Sequence, residues 1–294
     1  QELEFRQMKA QFDKLFGSGK EYDEIDSNGN TSEISQPVKK APAKKSNEDQ
    51  FDLFGFSDES DEPTANHSYY ATLENTTHFY QIIQGDLPVK LLMQNLLNQT
   101  SVCFDTETTG IDALNAELVG MSFSFEKGKG FYVPFPENQE EAQTLIEKFR
   151  PFFENENIEK IGQNMKYDLK ILSNYNIQVK GKLFDTMIAH YLINPDMRHN
   201  MDVLSETYLK YAPKSIETLI GKKGKNQLSM RDVPLEDIKE YATEDADITF
   251  QLKEHFQPIL EKVGTKKLFD EIEIPLVPVL ADMEKEGIRL DVEF

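Results

Sequence analysis

The stretch Ser101-Val-Cys-Phe-Asp-Thr-Glu-Thr108 changes character at its midpoint. Residues 101–104 are small or apolar and read as a short buried strand. Asp105 and Glu107 then stand two residues apart, so an extended backbone projects both to one face. Side-by-side carboxylates repel, and each is costly to bury without a cation between them. A solvated strand end, with Asp105 capping a turn, is the plainer alternative. Downstream, Leu118-Val-Gly-Met-Ser-Phe-Ser-Phe125 and Gly130-Phe-Tyr-Val133 read as two more strands around a turn at 127–130, which makes an antiparallel trio. Upstream, Val89, Leu92, Met93, Leu96 and Leu97 mark one face of a helix over 86–99. The rest predicts a helix over 139–153, a strand over 158–162, and helices near 165–175, 185–193, 201–211 and 235–262. This order predicts an α/β fold, a mixed sheet with helices packed on it.

Composition narrows the function classes. The chain has 294 residues, 38% hydrophobic, and a net charge of -20. No run of 18 apolar residues occurs, which excludes a helical membrane span, and no secretory signal is recognisable. A single cysteine, Cys103, excludes an internal disulfide framework and a cysteine-built zinc site, and fits a reducing cytoplasm. The acidity is uneven. Residues 21–66 carry 12 Asp/Glu against 4 Lys, and their polar, Pro- and Ser-rich composition predicts a disordered linker. Residues 2–16 read as a short amphipathic helix, the tail of a preceding module. Residues 198–231 hold seven Lys/Arg and three Asp/Glu, the pattern of a phosphate-binding face or of an ordinary charged surface. The expected division is therefore 1–66 tail and linker, then a folded region from 67.

Two further carboxylates join the first pair. Asp168 ends Gly162-Gln-Asn-Met-Lys-Tyr-Asp168, where strand gives way to helix; Asn164 is expected to cap that helix, with Asp168 on its first turn. Tyr241 and Asp245 lie four apart on the helix 235–262 and share its apolar side, whereas Glu244 and Asp247 fall on other faces and are expected to be solvated. An aspartate on an apolar face is costly without a partner. Two carboxylates on a strand, one at a helix start and one on a late helix would converge on divalent cations. All-oxygen ligands suit Mg²⁺ or Mn²⁺ rather than zinc, and a pair of such ions fits phosphoryl transfer. No Gly-x-Ser-x-Gly elbow occurs, and Gly221-Lys-Lys-Gly-Lys-Asn lacks the Walker ending.

FDTET, GQNMKYDL and YATEDAD, in this order, resemble the three exonuclease motifs of the four-acidic-residue superfamily in its tyrosine branch. FDTETTG, FDTMIAHYLINPD, RHNMDVLSETYL, GKKGKNQL and EIPLVPVLADMEKEGIRLD are similar to the bacterial DNA polymerase I family, over roughly residues 70–294. The resemblance implies an RNase H-like fold with a five-stranded mixed sheet and a proofreading 3′→5′ exonuclease over 67–265. Residues 266–294 would enter a polymerase domain whose catalytic motifs lie beyond Phe294, and the first residues resemble the end of a 5′-nuclease module. It further implies two Mg²⁺ (or Mn²⁺) ions: Asp105, Glu107 and Asp245 on the first, Asp105 and, largely through water, Asp168 on the second, with Tyr241 and Glu107 orienting the attacking water. Contacts to a single DNA strand would fall to Thr108, Ile111, Gln163, Asn164, Lys166, Tyr167 and Arg198. Ile216 departs from the family, which often has phenylalanine there. The alternatives are a ribonuclease D-like RNA 3′-exonuclease and a catalytically silent spacer. A monomer in the bacterial cytoplasm, associated with the nucleoid and with no membrane attachment, is expected.

One stretch breaks the polarity of the linker. Gln50-Phe-Asp-Leu-Phe54 resembles the motif that binds the bacterial sliding clamp, with Leu53 and Phe54 to fill an apolar pocket and Gln50 to bond at its rim. A patch that packs back on its own protein is the plainer alternative.

Overall fold

The computed structural model describes residues 70–222, 224 and 227–290. The chain divides into two units, Gln1–Glu62 and Pro63–Phe294, and every described residue lies in the second. The expected linker, the helix expected over 2–16 and the clamp-like Gln50, Leu53 and Phe54 all lie outside the described residues.

One mixed sheet organises this unit. Its strands are β1 (Phe79–Ile82), β2 (Ser101–Thr108), β3 (Leu118–Glu126), β4 (Lys129–Pro134), β5 (Glu159–Gly162) and β6 (Leu183–Asp185), in the order β1-β4-β3-β2-β5-β6. The antiparallel trio is β2, β3 and β4; β1 runs parallel to β4, and β5 and β6 extend the other edge in parallel. The described strands number six rather than the expected five. β6 is too short to announce itself, and its last residue, Asp185, falls at the start of the helix expected over 185–193; β1, four residues with an exposed alternate side, has no apolar run.

Alternation along β2 sorts the two faces. Phe104 pairs with Phe123 across the strands and turns toward α2 (Gln139–Glu147) and α3 (Arg150–Phe153). There Phe123 stacks on Phe149 at 5.5 Å, and Phe104 meets Phe153 edge-on at 5.2 Å. Each such buried ring contributes roughly 1.5–3 kcal/mol. The expected helix 139–153 is broken here because Pro151 has no N–H to continue the ladder. The opposite face of β2 carries Asp105 and Glu107, with Ser122 and Gly120 as their cross-strand partners.

That face is covered by α8 (Leu235–Val263), a 29-residue helix with Glu236 and Asp237 in its first turn and left-handed Gly264 closing it. It touches β1 to β5. A Cβ on Gly130 would stand 2.1 Å from Thr243 Cγ2, so only glycine lets the helix sit this close. The remaining helices are α1 (Asp86–Leu97), α4 (Lys166–Asn174), α5 (Thr186–Ile193), α6 (Met201–Leu204), α7 (Glu217–Ile220), α9 (Lys266–Leu268) and α10 (Ile274–Glu286). The helix expected over 201–211 is α6 followed by a wide turn, Ser205–Leu209, which ends at left-handed Lys210. Among the described residues no helix is long and apolar enough to cross a membrane.

Candidate active site

The strand and the late helix bring three of the four marked carboxylates together. Oxygens of Asp105, Glu107 and Asp245 lie within 4.8 Å of one another. Glu107 and Asp245 are buried, and Asp245 Oδ1 has no hydrogen-bond partner. Burial pushes Asp105 up to about 7. Burial, then the charges of Asp105 and Asp168, hold Glu107 well above the usual carboxylate range. Asp245 is raised in the same way by burial and by Asp105, Glu107 and Glu244, while the Tyr241 hydroxyl opposes the rise. Two buried acids and a half-buried one around one point, one of them with an orphaned oxygen, form a site whose charge a divalent cation would offset. Hard oxygen donors without histidine or cysteine suit such an ion.

Asp168 stands beside this group rather than in it. β5 stops pairing with β2 at Cys103↔Ile161, so β2 runs on past its neighbour. Asp168 Oδ1 accepts from the freed Thr106 N–H at 3.2 Å and from the Thr106 hydroxyl. It remains near enough to Asp105 for the two charges to raise its pKa, on top of burial. Tyr241, one turn before Asp245, has a hydroxyl held well above 10 by burial and by Asp245, Glu107 and Asp105.

The residues expected to touch a strand fall around these acids in two groups. Thr108 Oγ1 and the Tyr167 hydroxyl bond each other, and Tyr167 also donates to Gly110 O at 2.6 Å. Ile111 is 89% exposed at the tip of that loop. In the second group, the Gln163 amide donates to His199 O at 2.8 Å, which fastens the loop bearing exposed Arg198 to the turn 163–164. Asn164 does not cap α4: it is left-handed, with φ 59, and α4 has no side-chain cap. Lys166 pairs with Glu284 of α10 at 2.5 Å. Ile216 lies just before α7, 40% exposed.

A family model for 3′-5′ exonuclease of family A DNA polymerases matches residues 80–261. The chain belongs to this exonuclease family. It is 35% identical over 255 residues to DNA polymerase I of Borreliella burgdorferi, covering 85% of this chain and 27% of that protein. To DNA polymerase I of Pseudomonas aeruginosa it is 33% identical over 222 residues, covering 72% and 24%. The chain thus spans about a quarter of the length of the curated relatives it matches. In fold it is similar to Brucella melitensis NrnC, with TM-score 0.57, 20% identity, and coverage of 72% of this chain and 94% of that one.

The candidate site is buttressed by residues that the sequence patterns place elsewhere or do not mark. Glu244 and Asp247, expected in solvent, are buried. Glu244 accepts from the Tyr211 hydroxyl at 2.5 Å and Lys214 N at 2.9 Å. Asp247 accepts from the Tyr80 hydroxyl at 2.8 Å and from Gly128 N. The first pins the loop before α7, the second pins α8 to β1 and the β3–β4 turn. Tyr132 of β4 points its buried hydroxyl over Gly120, opposite Glu107, where a Cβ would lie 2.0 Å away. Nothing in the sequence marked it. Asp185 is the fourth: it ends β6 inside a second Phe-Asp-Thr, at 184–186, before an apolar helix, and this was a legible cap signal.

Proposed function

We propose that this exonuclease acts on DNA, removing 3′-terminal nucleotides from single-stranded or frayed ends by a two-ion hydrolysis, as the proofreading part of a bacterial DNA polymerase I. The observation that carries this reading is the cluster Asp105, Glu107 and Asp245, with oxygens within 4.8 Å of one another. These three would hold one divalent cation, Mg²⁺ or Mn²⁺; Asp105 with Asp168 would hold the second. When bound, divalent cations supply a nucleophile at neutral pH and offset negative charge on the scissile phosphate. Tyr241 and Glu107 orient the attacking water. Thr106 keeps Asp168 at the end of β2 and so fixes its distance from Asp105. Exposed Ile111 wedges against the last bases, Tyr167 offers a stacking face, Gln163 and Asn164 line the strand's path with Thr108, and Lys166 and Arg198 meet phosphates.

Residues 266–294 would lead into the polymerase domain. A bond from Leu53 and Phe54, rimmed by Gln50, to the sliding clamp remains part of the same proposal. It is tested by titrating a labelled peptide spanning residues 47–58 with the clamp. Binding that ignores Leu53→Ala with Phe54→Ala removes that element.

The test of the activity is digestion of an end-labelled single strand with Mg²⁺, DNA beside RNA. The parent should shorten DNA from its 3′ end, and Asp105→Ala with Glu107→Ala should reduce this by several orders of magnitude while the far-ultraviolet dichroism stays unchanged. A double variant that digests at the parent rate sinks the assignment. Preference for RNA would transfer the chain to the ribonuclease D-like reading.

A further inference from the structure

Asp185 closes β6 and opens α5, and it is 2% exposed. Its Oδ1 accepts from Met187 N at 2.9 Å and Ile188 N at 3.3 Å, which caps α5. The same carboxylate reaches back across the sheet edge. Oδ1 also accepts from Asn164 N at 3.2 Å, and Oδ2 from Met165 N at 2.7 Å. Four N–H groups from two segments about twenty residues apart thus end on one buried side chain.

The segment it reaches is the turn on which the expected strand contacts sit. Asn164 there is left-handed, φ 59, a conformation that asparagine tolerates but that needs its surroundings to hold it. The next residue along, Thr186, donates its hydroxyl to Gly162 O at 3.2 Å and to Gln163 Oε1. Gln163 in turn donates to His199 O, beside Arg198. Asp168 is fixed separately, through Thr106. Asp168 thus has an anchor of its own, whereas the turn residues Gln163 and Asn164 hang from Thr186 and Asp185.

We propose that Asp185 is a positioning residue for strand binding: it sets the 163–165 turn in the shape that receives the 3′ end, without touching DNA or the reacting atoms. The proposal rests on the exonuclease reading given above. Asparagine at this position would keep one acceptor oxygen. With that oxygen on the α5 cap, its amide would face Met165 N–H, donor against donor. The cap survives and the turn loosens.

The experiment compares the full chain with Asp185→Asn, with Asp185→Ala and with Asn138→Ala. Asn138 caps α2, accepting from Glu140 N and Glu141 N, and neither bond reaches the 163–165 turn, so its loss reports what a missing helix cap does by itself. Affinity for a fluorescein-labelled single strand is read by anisotropy in EDTA, and KM and kcat are read with Mg²⁺. Asp185→Asn should weaken binding and raise KM by about fivefold to tenfold, with kcat within about twofold of the parent. Asn138→Ala should lower Tm and leave KM alone, because a merely destabilised enzyme loses active molecules rather than affinity. Should Asp185→Ala fail to fold, Asp185→Asn still decides. Parent-like Kd and KM in Asp185→Asn, or a fall confined to kcat, overturns the proposal. A parent that binds the strand and never cuts it overturns the exonuclease reading alone, since the anisotropy comparison is unaffected.

Discussion

Tyr241 has no ligand role in the proposed chemistry, yet its hydroxyl stands among the charges of Asp245, Glu107 and Asp105 and stays protonated far above neutral pH. It can therefore donate a hydrogen bond throughout the working range, which is what holding a water requires. Tyr241→Phe should slow hydrolysis by about 10²-fold and leave Mn²⁺ affinity, measured by calorimetry on the same preparation, where it was. Equal loss of both would make the tyrosine part of the metal cluster instead. Each of the four acids breaks a local pattern in the sequence (a charge at a strand end, at a helix start, on an apolar helical side), whereas Tyr241 breaks none and is singled out by the family resemblance alone. Glu244 and Asp247 depart from the expected solvent exposure for a definite reason. A helical wheel gives the angle of a side chain, not what surrounds the helix, and α8 is wrapped by Tyr211, Lys214, Tyr80 and Gly128 on the sides assigned to water.

Among the elements, the junction of α5 with the loop before α6 carries a histidine chain. His190 Nδ1 meets His199 Nδ1 at 2.7 Å, and His190 Nε2 meets the Tyr208 hydroxyl at 2.9 Å, with His255 against the far side of Tyr208. Burial, then the neighbouring His199, lowers His190 to about 4. An unfolded imidazole titrates near ~6.5, so between these values the unfolded chain binds more protons and stability falls as pH falls. The loss should reach about 3 kcal/mol at most by pH ~4, read from urea melts across the window. His190→Gln should reduce that slope by about half or more; an unchanged slope would place the acid sensitivity elsewhere. Elements with a long apolar period were legible: α1, α8 and the trio β2 to β4 lie where expected. Short ones were not. β6 has three residues, and its role is fixed by pairing with β5 rather than by its own sequence.

Across the whole molecule, α10 lies along α4, and Glu284 holds Lys166 at 2.5 Å and Lys170 at 2.7 Å. If Lys166 meets a phosphate, the strand competes with that carboxylate. Exposed pairs of this kind contribute ~1 kcal/mol or less, so Glu284→Gln should lower KM for a single strand by about twofold to fivefold at low salt, and the advantage should fade as salt rises. KM unchanged at every ionic strength would show that Lys166 and the strand do not meet. The sheet order was the least legible feature at this scale. β1 joins β4 in parallel across some fifty residues of chain, and no local signal encodes a partner so far away. The net charge of -20 gave even less, because its effect on DNA depends on where the cations stand.

The cover of the acidic face comes late in the chain. β1 to β5 are complete by residue 162, while α8 begins only at Leu235. During synthesis the strands therefore leave the ribosome well before the helix that shields Asp105 and Glu107 and supplies Asp245. Pairings this far apart in sequence are slow to form, and the unfinished sheet offers apolar strands to other chains in the meantime. On the proposed reading the chemistry cannot start early either: a nascent chain has no complete carboxylate cluster until the helix that carries Asp245 has docked.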